Sequence, residues 1–502
     1  MSTRLLSMYN IKIPLGASTI LDTLGKQGFE AYVVGGCVRD SLLGITPKDW
    51  DICTSATPQE VEQCFSGHRI IETGIQHGTV TVVVGGVGFE VTTFRTDGTY
   101  SDNRRPDSVA FVKEIKADLA RRDFTMNAMA YNDAVGLVDP FGGEKSLREK
   151  LISCVGNADD RFNEDALRIM RALRFASTFG FSIDEQTDAA IHKNAALLNN
   201  IAVERIGAEL CKMLLGKGIL QVLLDYDDVI AKIIPEMQNC VGFEQNNKYH
   251  QYTIYEHIAH AVSNYQGDDV CTLVALLLHD IGKPLCYSED ENGGHFYGHG
   301  IPSFSIAQNV LERLKFDSKS QHDIAELVLY HDSTIEPTPR TVRRWLNRIG
   351  EEQFRRLMDI RLADIHAHAE GTQESRIKCR NDALALADEI IASRQCFSSK
   401  DLAINGSDVM SDGIPGGRMV GSALNAALDA VIAGAVDNQK DILLDVVHDY
   451  FGFVRKRIDT QDVEPSCPFG CAYCDVAYTE HCYWCEESRK EWLNEQTGTQ
   501  EH

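Results

Sequence analysis

The chain has 502 residues, 43% of them hydrophobic, which is enough to bury several cores; the length alone points to about three or four domains rather than a single module. A formal net charge of −24 excludes a protein that coats nucleic acid by bulk electrostatics, so any RNA contact must be a local basic patch, as at Arg104-Arg105, Arg121-Arg122, Arg168 to Arg174 or Arg340 to Arg348. The amino terminus has no arginine-rich start followed by a long apolar run, no window reaches the roughly 18 apolar residues of a membrane span, and ten of the fifteen cysteines are scattered singly; the expectation is a reduced, soluble, cytoplasmic protein with no membrane partner.

Residues from about 30 to 140 alternate short β-rich runs (AYVVGG, TVTVVVGG, FEVTTF, SVAFV) with Gly and Asp punctuation, which predicts a small sheet carrying helices. From about 145 onward strand signals vanish and apolar residues recur at helical spacing through DALRIMRALRFASTFG, IGAELCKMLL and ILQVLLDY. A second helical block opens near Cys240, contains VCTLVALLLHDIGKP and closes at LVLYHD, with Pro337 and Pro339 after it. The fold class is therefore α+β, with expected divisions at 1–145 (head), 146–240 (helical neck), 241–337 (second helical block), 338–455 (further helices) and 456–502 (cysteine-rich tail).

In the head, Gly35-Gly36 end an apolar strand and open a helix bearing Arg39 and Asp40, a turn that lets backbone N–H groups approach a phosphate. Asp49 and Asp51 flank Trp50, and in a strand that spacing directs both carboxylates to one face, where they can hold two Mg²⁺ ions. An isolated pair of this kind is also what a solvated loop cap looks like, so its context decides. The string GGCVRDSLLG…DWDICT resembles the signature of class II tRNA nucleotidyltransferases and bacterial poly(A) polymerases, a group within the DNA polymerase beta superfamily. The resemblance continues in order through FEVTTFRTDGTYSDNRRPDSVAF, DLARRDFTMNAMAYN, LVDPFGG and RFNEDALRIMRALRFASTFGFSID.

That resemblance implies a polymerase-beta-like head with Asp49 and Asp51 as catalytic Mg²⁺ ligands, and Gly36, Arg39 and Arg122 at the incoming nucleotide. Glu90, in an apolar-acid-apolar strand pattern, is either the third carboxylate of the superfamily or an ordinary exposed strand residue. Asp165, Arg168, Arg171 and Arg174 follow at three-residue steps along a predicted helix; such a stripe faces water in a bland amphipathic helix, whereas in this family the matching residues read the base edge of CTP or ATP. The implied activity is CCA addition to tRNA 3′ ends, an EC 2.7.7 reaction; poly(A) synthesis and partial CC- or A-addition share every motif quoted.

His257, the pair His279-Asp280 and Asp332 recur with the order of an HD-superfamily metal site, with ALLLHDIGKP as its most specific string; His295, His299 and His331 are further candidates. Imidazoles and carboxylates together bind a divalent transition metal or Mg²⁺, and an ion there can activate water against a phosphoester; buried polar partners of an inactive fold give the same residue pattern. The resemblance to HD domains fused to bacterial CCA-adding enzymes implies a second, phosphohydrolase activity, and a competing reading makes the whole chain such a hydrolase with a regulatory nucleotide-binding head. Arg340, Arg343, Arg344 and Arg348 form either a tRNA-backbone face or a solvated helix side paired with Glu351 and Glu352. In the tail, Cys471-x-x-Cys474 and Cys482-x-x-Cys485 have zinc-knuckle spacing and are read as Zn²⁺ ligands.

Overall fold

The computed structural model describes residues 11–98, 108–291, 293–369 and 371–460; the four cysteines read as zinc ligands lie outside them. Seven strands of the head form one mixed sheet: β1 (Ala31–Val34), β2 (Ile52–Thr54), β3 (Arg69–Gly74), β4 (Thr79–Val84), β5 (Val87–Thr93), β6 (Ala130–Asn132) and β7 (Gly136–Val138), in the order β3-β4-β5-β2-β1-β6-β7. The unbroken apolar run of β1 suits its interior position, and all four of its residues are buried. In β5 the burial alternates, with Phe89 and Val91 inside and Glu90 in water, the period-two signature of a strand with one covered face. Strands β2 and β5 run parallel with Ile52 opposite Val91, which sets Asp51, just before β2, beside Glu90 in the middle of β5.

Helix α1 (Gly36–Leu42) follows β1 directly, and the head core under the sheet includes Tyr32, Val34, Phe94 and Leu119. The helical neck begins at α2 (Leu167–Phe179), which packs against α3 (Val203–Leu214); Ser177 Oγ donates to the Met213 carbonyl at 2.6 Å in the contact. Two features depart from the expectation of pure helix beyond residue 145: Leu151–Ile152 pairs with Ser182–Ile183, and Ser288–Asp290 forms a hairpin with Gly293–His295. Both are too short for a periodic pattern to announce.

Beyond the neck lie α4 (Ile254–Asn264), α5 (Val270–Leu278), α6 (Gly300–Arg313), α7 (Ser318–Tyr330) and α8 (Pro339–His366). Contacts divide the chain into two units. The first takes in residues up to Pro337 together with Ile349–Leu384; the second takes in Thr338–Arg348 and the residues from Ala385 onward. The stretch 338–455 is thus shared between them, and the division falls inside α8, where Gly350 (φ 77°, ψ 169°) interrupts the helical path. The second unit has its own core, including Ile404, Val409, Ala427, Leu443 and Val447. There Arg340 and Arg344 are exposed, Arg343 donates to Gln395 at 3.2 Å, and Arg348 lies over the Trp345 ring. Glu351 and Glu352, in the first unit, pair with Arg355 and Arg356.

Candidate active site and candidate metal centre

The turn between β1 and α1 is built on Gly35, whose φ of 76° and ψ of −122° no L side chain adopts without strain; a Cβ there would stand 2.9 Å from Arg122 Nη1. Its N–H donates to the Met129 carbonyl at 3.0 Å, closing α1 onto the sheet. Asp49 and Asp51 lie just before β2 rather than within it, and the Asp51 carbonyl extends the ladder by accepting from Val34 N–H at 3.0 Å. Partial loss of water, then Glu90 and Asp49, push the Asp51 carboxyl above its ordinary pKa, while Arg122 opposes them. Glu90 and Asp49 thus both bear on the Asp51 carboxylate, with Arg122 as the balancing charge. Arg122 is held at its other end by Asp118 at 3.3 Å, and its Nε is buried without a hydrogen bond.

Arg39 joins this edge of the sheet to the neck. It donates to Asn127 Oδ1 at 2.6 Å and to Asp40 at 2.8 Å, and its guanidinium lies over the rings of Phe175 and Phe179, about 5 Å from each centroid. Asn127 is itself oriented by Asp123, which accepts from Asn127 Nδ2 at 3.0 Å and from Arg171 Nε and Nη2 at 2.8 and 2.6 Å. Burial alone would raise the Asp123 carboxyl, but Arg171, Asn127 and the Phe124 N–H together hold it down to about 2. Arg174 pairs with Glu209 at 2.5 Å and also lies over the Phe175 ring, 4.0 Å from its centroid.

The predicted stripe of Asp165, Arg168, Arg171 and Arg174 needs one correction. Asp165 is not on the helix: it sits in the break between Ala158–Glu164 and α2, at φ −137° and ψ 101°, and its Oδ1 caps the Leu167 N–H at 3.1 Å. Its other oxygen accepts from Arg205 at 3.2 Å. A short Asp side chain bonds its own downstream backbone more readily than it continues a helix, which is the physical reason for the break. Arg168 is nearly buried and donates to Glu164 and to the carbonyls of Arg161 and Arg121.

The second cluster is assembled from helix ends. Helix α5 (VCTLVALLL) is apolar on all sides and buried, so it carries the following residues His279 and Asp280 into the interior, where both are essentially inaccessible. His279, His299 and His331 each direct Nδ1 at the carbonyl three residues earlier, at 2.7, 2.8 and 2.7 Å. A carbonyl only accepts, so Nδ1 carries the proton and Nε2 is turned inward, the orientation of metal-binding imidazoles. Around Asp280 the Nε2 atoms of His257 and His279 lie 3.3 and 3.2 Å from Oδ2, and those of His299 and His331 lie 3.2 and 3.4 Å from Oδ1. Two trios result, His257-His279-Asp364 and Asp280-His299-His331, each with its ligand atoms within 4.8 Å of one another.

This geometry corrects the predicted ligand set. Asp332 is exposed at the pocket wall and belongs to neither trio; the helix carrying α7 ends at His331, which turns inward and sends the next residue out. The carboxylate that joins the cluster is Asp364, near the end of α8, 2.9 Å from His257 Nε2. His295 also stands apart, bonded to Asp290 at 3.0 Å and stacked on Tyr297. Burial presses His257 down to about 4; burial also opposes the protonation of His279, yet Asp280 and Asp364 lift it to about 10. Lys283 Nζ lies 2.6 Å from Asp280 Oδ2, but Oδ2 and His279 Nε2 remain buried without an aligned hydrogen bond. Buried unsatisfied polar atoms of opposite partners around one point fit a cation.

A family model described as "Poly A polymerase head domain" matches residues 31–153, one described as "Probable RNA and SrmB- binding site of polymerase A" matches 180–240, and a "tRNA nucleotidyltransferase domain 2" model matches 303–447. The CCA-adding enzyme of Ligilactobacillus salivarius is 34% identical over 441 residues, covering 86% of this chain and 95% of the relative. That of Geobacillus sp. (strain WCH70) is 36% identical over 427 residues, 84% and 93% of the two chains. The crystal structure of the Bacillus stearothermophilus CCA-adding enzyme in complex with CTP superposes with a TM-score of 0.63 at 31% identity, over 89% of this chain and 98% of that one. With sequence likeness along nearly the whole of these relatives and the same α+β architecture, the chain belongs to the CCA-adding enzymes, a family of nucleotidyltransferases.

Proposed function

We propose that this protein adds C, C and A to tRNA 3′ ends from CTP and ATP, with Asp49, Asp51 and Glu90 holding Mg²⁺. The observation that carries the reading is the register of β2 against β5, which brings Glu90 beside Asp51, together with the upward shift of the Asp51 carboxyl. A carboxylate pressed by two others suits a hard cation, which takes oxygen ligands. When bound, Mg²⁺ supplies charge stabilisation at the triphosphate and acidifies the attacking 3′-hydroxyl. Arg122, adjacent to Gly35, takes the triphosphate, and Arg39 supports its sugar end. Asp165 and Arg168 read the base edge, with Asp165 offering acceptors and Arg168 donors. Arg171 and Arg174, bonded to Asp123 and Glu209 as Arg168 is to Glu164, also position Phe175 and, through Asn127, Arg39. The exposed Arg340 and Arg344 contact the tRNA backbone without reading its sequence.

The test is gel-resolved extension of tRNA transcripts that end before CCA, with Mg²⁺ and CTP, ATP or both. Growth by C, C and A with a stop there is expected, and Asp49→Ala with Asp51→Ala should abolish it. A-only, CC-only or unlimited A addition assigns a sister activity, and no extension removes the reading.

A second activity is favoured by the two trios around Asp280. Their nitrogen and oxygen donors fit a divalent transition metal, and a cation there supplies an activated water for phosphoester hydrolysis. The chain's own contribution is to fix the imidazole tautomers through the three Nδ1–carbonyl bonds and to place Lys283 where phosphate charge would sit. Metal analysis of protein dialysed against Mn²⁺ tests this: full retention of metal in His279→Asn with Asp280→Asn would sink it.

A further inference from the structure

Helix α3 opens on a cation that its own geometry disfavours. Arg205 stands in the first turn, where the free backbone N–H groups make the helix end electropositive, and Ala202 ahead of it has no side chain to cap them. The guanidinium faces Asp165 instead, with Nη2 donating to Oδ2 at 3.2 Å across 40 residues of chain. Its Nη1 is buried and finds no acceptor among the described residues. A charge set against its helix dipole, with a buried donor left unmatched, adds little to the stability of α3; what it does is hold Asp165.

Asp165 is fixed from both sides. Its Oδ1 accepts from Leu167 N–H at 3.1 Å and its Oδ2 from Arg205, so the plane of the carboxylate is set by the start of α2 and by α3 together. One turn further along α3, on the same face as Arg205, Glu209 grips Arg174 at 2.5 Å. Arg168 is held from elsewhere, by Glu164 and the carbonyls of Arg161 and Arg121, which belong to the preceding helix and the head. The acceptor and the donor of this pair are therefore positioned independently, and the acceptor depends on Arg205.

We propose that Arg205 is a positioning residue that decides which bases are used, by locking the Asp165 carboxylate as a hydrogen-bond acceptor. The proposal rests on the reading of Asp165 as a base-edge residue and adds what makes that reading selective. Cytosine and adenine present an amino group where uracil and guanine present a carbonyl oxygen. A carboxylate accepts and cannot donate, and each of its oxygens keeps a second lone pair beside the bond already made. Locked in place, Asp165 takes the amino group of CTP or ATP and repels the carbonyl of UTP or GTP. Released from Arg205, the carboxylate can turn away from that carbonyl, and the wrong base fits.

The full chain is assayed with Mg²⁺ on tRNA transcripts ending before CCA, with kcat and KM measured separately for CTP and for UTP. The wild type is compared with Arg205→Gln, Arg205→Lys and Asp165→Asn, whose amide offers a donor to the uracil carbonyl. The ratio of kcat/KM for CTP to that for UTP is internal to each preparation, so a partly unfolded fraction does not move it. Arg205→Gln is expected to narrow the ratio by about tenfold or more with kcat for CTP within about threefold, and Arg205→Lys, which keeps the cation, to recover most of the selectivity. A ratio within about twofold of the wild type in Arg205→Gln, while Asp165→Asn collapses it, overturns the role of Arg205 and leaves Asp165 as a base reader. Ratios unchanged in both variants overturn the base-edge reading as well. Equal loss of CTP and UTP use in Arg205→Gln makes the residue a purely structural one and overturns the proposal, as does a lysine variant that selects no better than the glutamine.

Discussion

Substituting Asp123→Asn should loosen the joint between head and neck by an amount the structure sets. The carboxylate is buried and satisfied by Arg171, Asn127 and the Phe124 N–H, which hold its pKa at about 2 against an ordinary 3.8. Through linkage a shift of that size corresponds to about 2.5 kcal/mol, and the amide would also strand the Arg171 guanidinium, so a local loss of about 2–4 kcal/mol is expected. Because the chain divides into two compact units, the proper readout is local: hydrogen exchange in peptides covering Phe124–Ala130 and α2. Exchange there should accelerate by at least about thirtyfold relative to the wild type at pH 7. The sign of the pH dependence follows from the depressed pKa: the stabilisation is complete above about pH 5 and disappears as pH falls through about 2, so the ratio of variant to wild type should shrink across that window. Exchange within about threefold of the wild type at pH 7 would refute the role given to Asp123.

Gly35→Ala introduces a Cβ at a positive φ and 2.9 Å from Arg122 Nη1; it should cost about 1–2 kcal/mol in thermal unfolding of the head and raise the KM for CTP, and an unchanged KM would show that Arg122 is not needed where it stands. Glu90→Gln removes one of the charges that lift Asp51, so the acid limb of the transfer pH profile should move to lower pH while the Mg²⁺ requirement rises; a profile that stays put separates Glu90 from the site. Mn²⁺ at a hundredfold its Kd should stabilise the domain containing Asp280 by about 2.7 kcal/mol in differential scanning fluorimetry, and an equal melting shift in Asp280→Asn would remove the metal centre.

Most of the head was legible because its signals are local. Strand alternation exposes Glu90 between the buried Phe89 and Val91, and the Gly35-Gly36 turn follows an apolar strand at once; the pairing of β2 with β5, across the intervening β3 and β4, is a crossover that no local signal announces. The histidine–aspartate cluster was legible only where sequence neighbours supply it. His279 and Asp280 announce themselves because an all-apolar helix must carry them inward, whereas Asp364 reaches His257 across 107 residues of chain by tertiary packing alone, and the order of an HD-type site points to Asp332, whose place the neighbouring His331 takes. The break at Asp165 had a readable cue that the helical period masked: an Asp two residues before Leu167 is placed to cap that N–H. Where a residue's role depends on what its own helix or strand does, the pattern predicts it; where the role depends on which distant helix end arrives, only the packing decides.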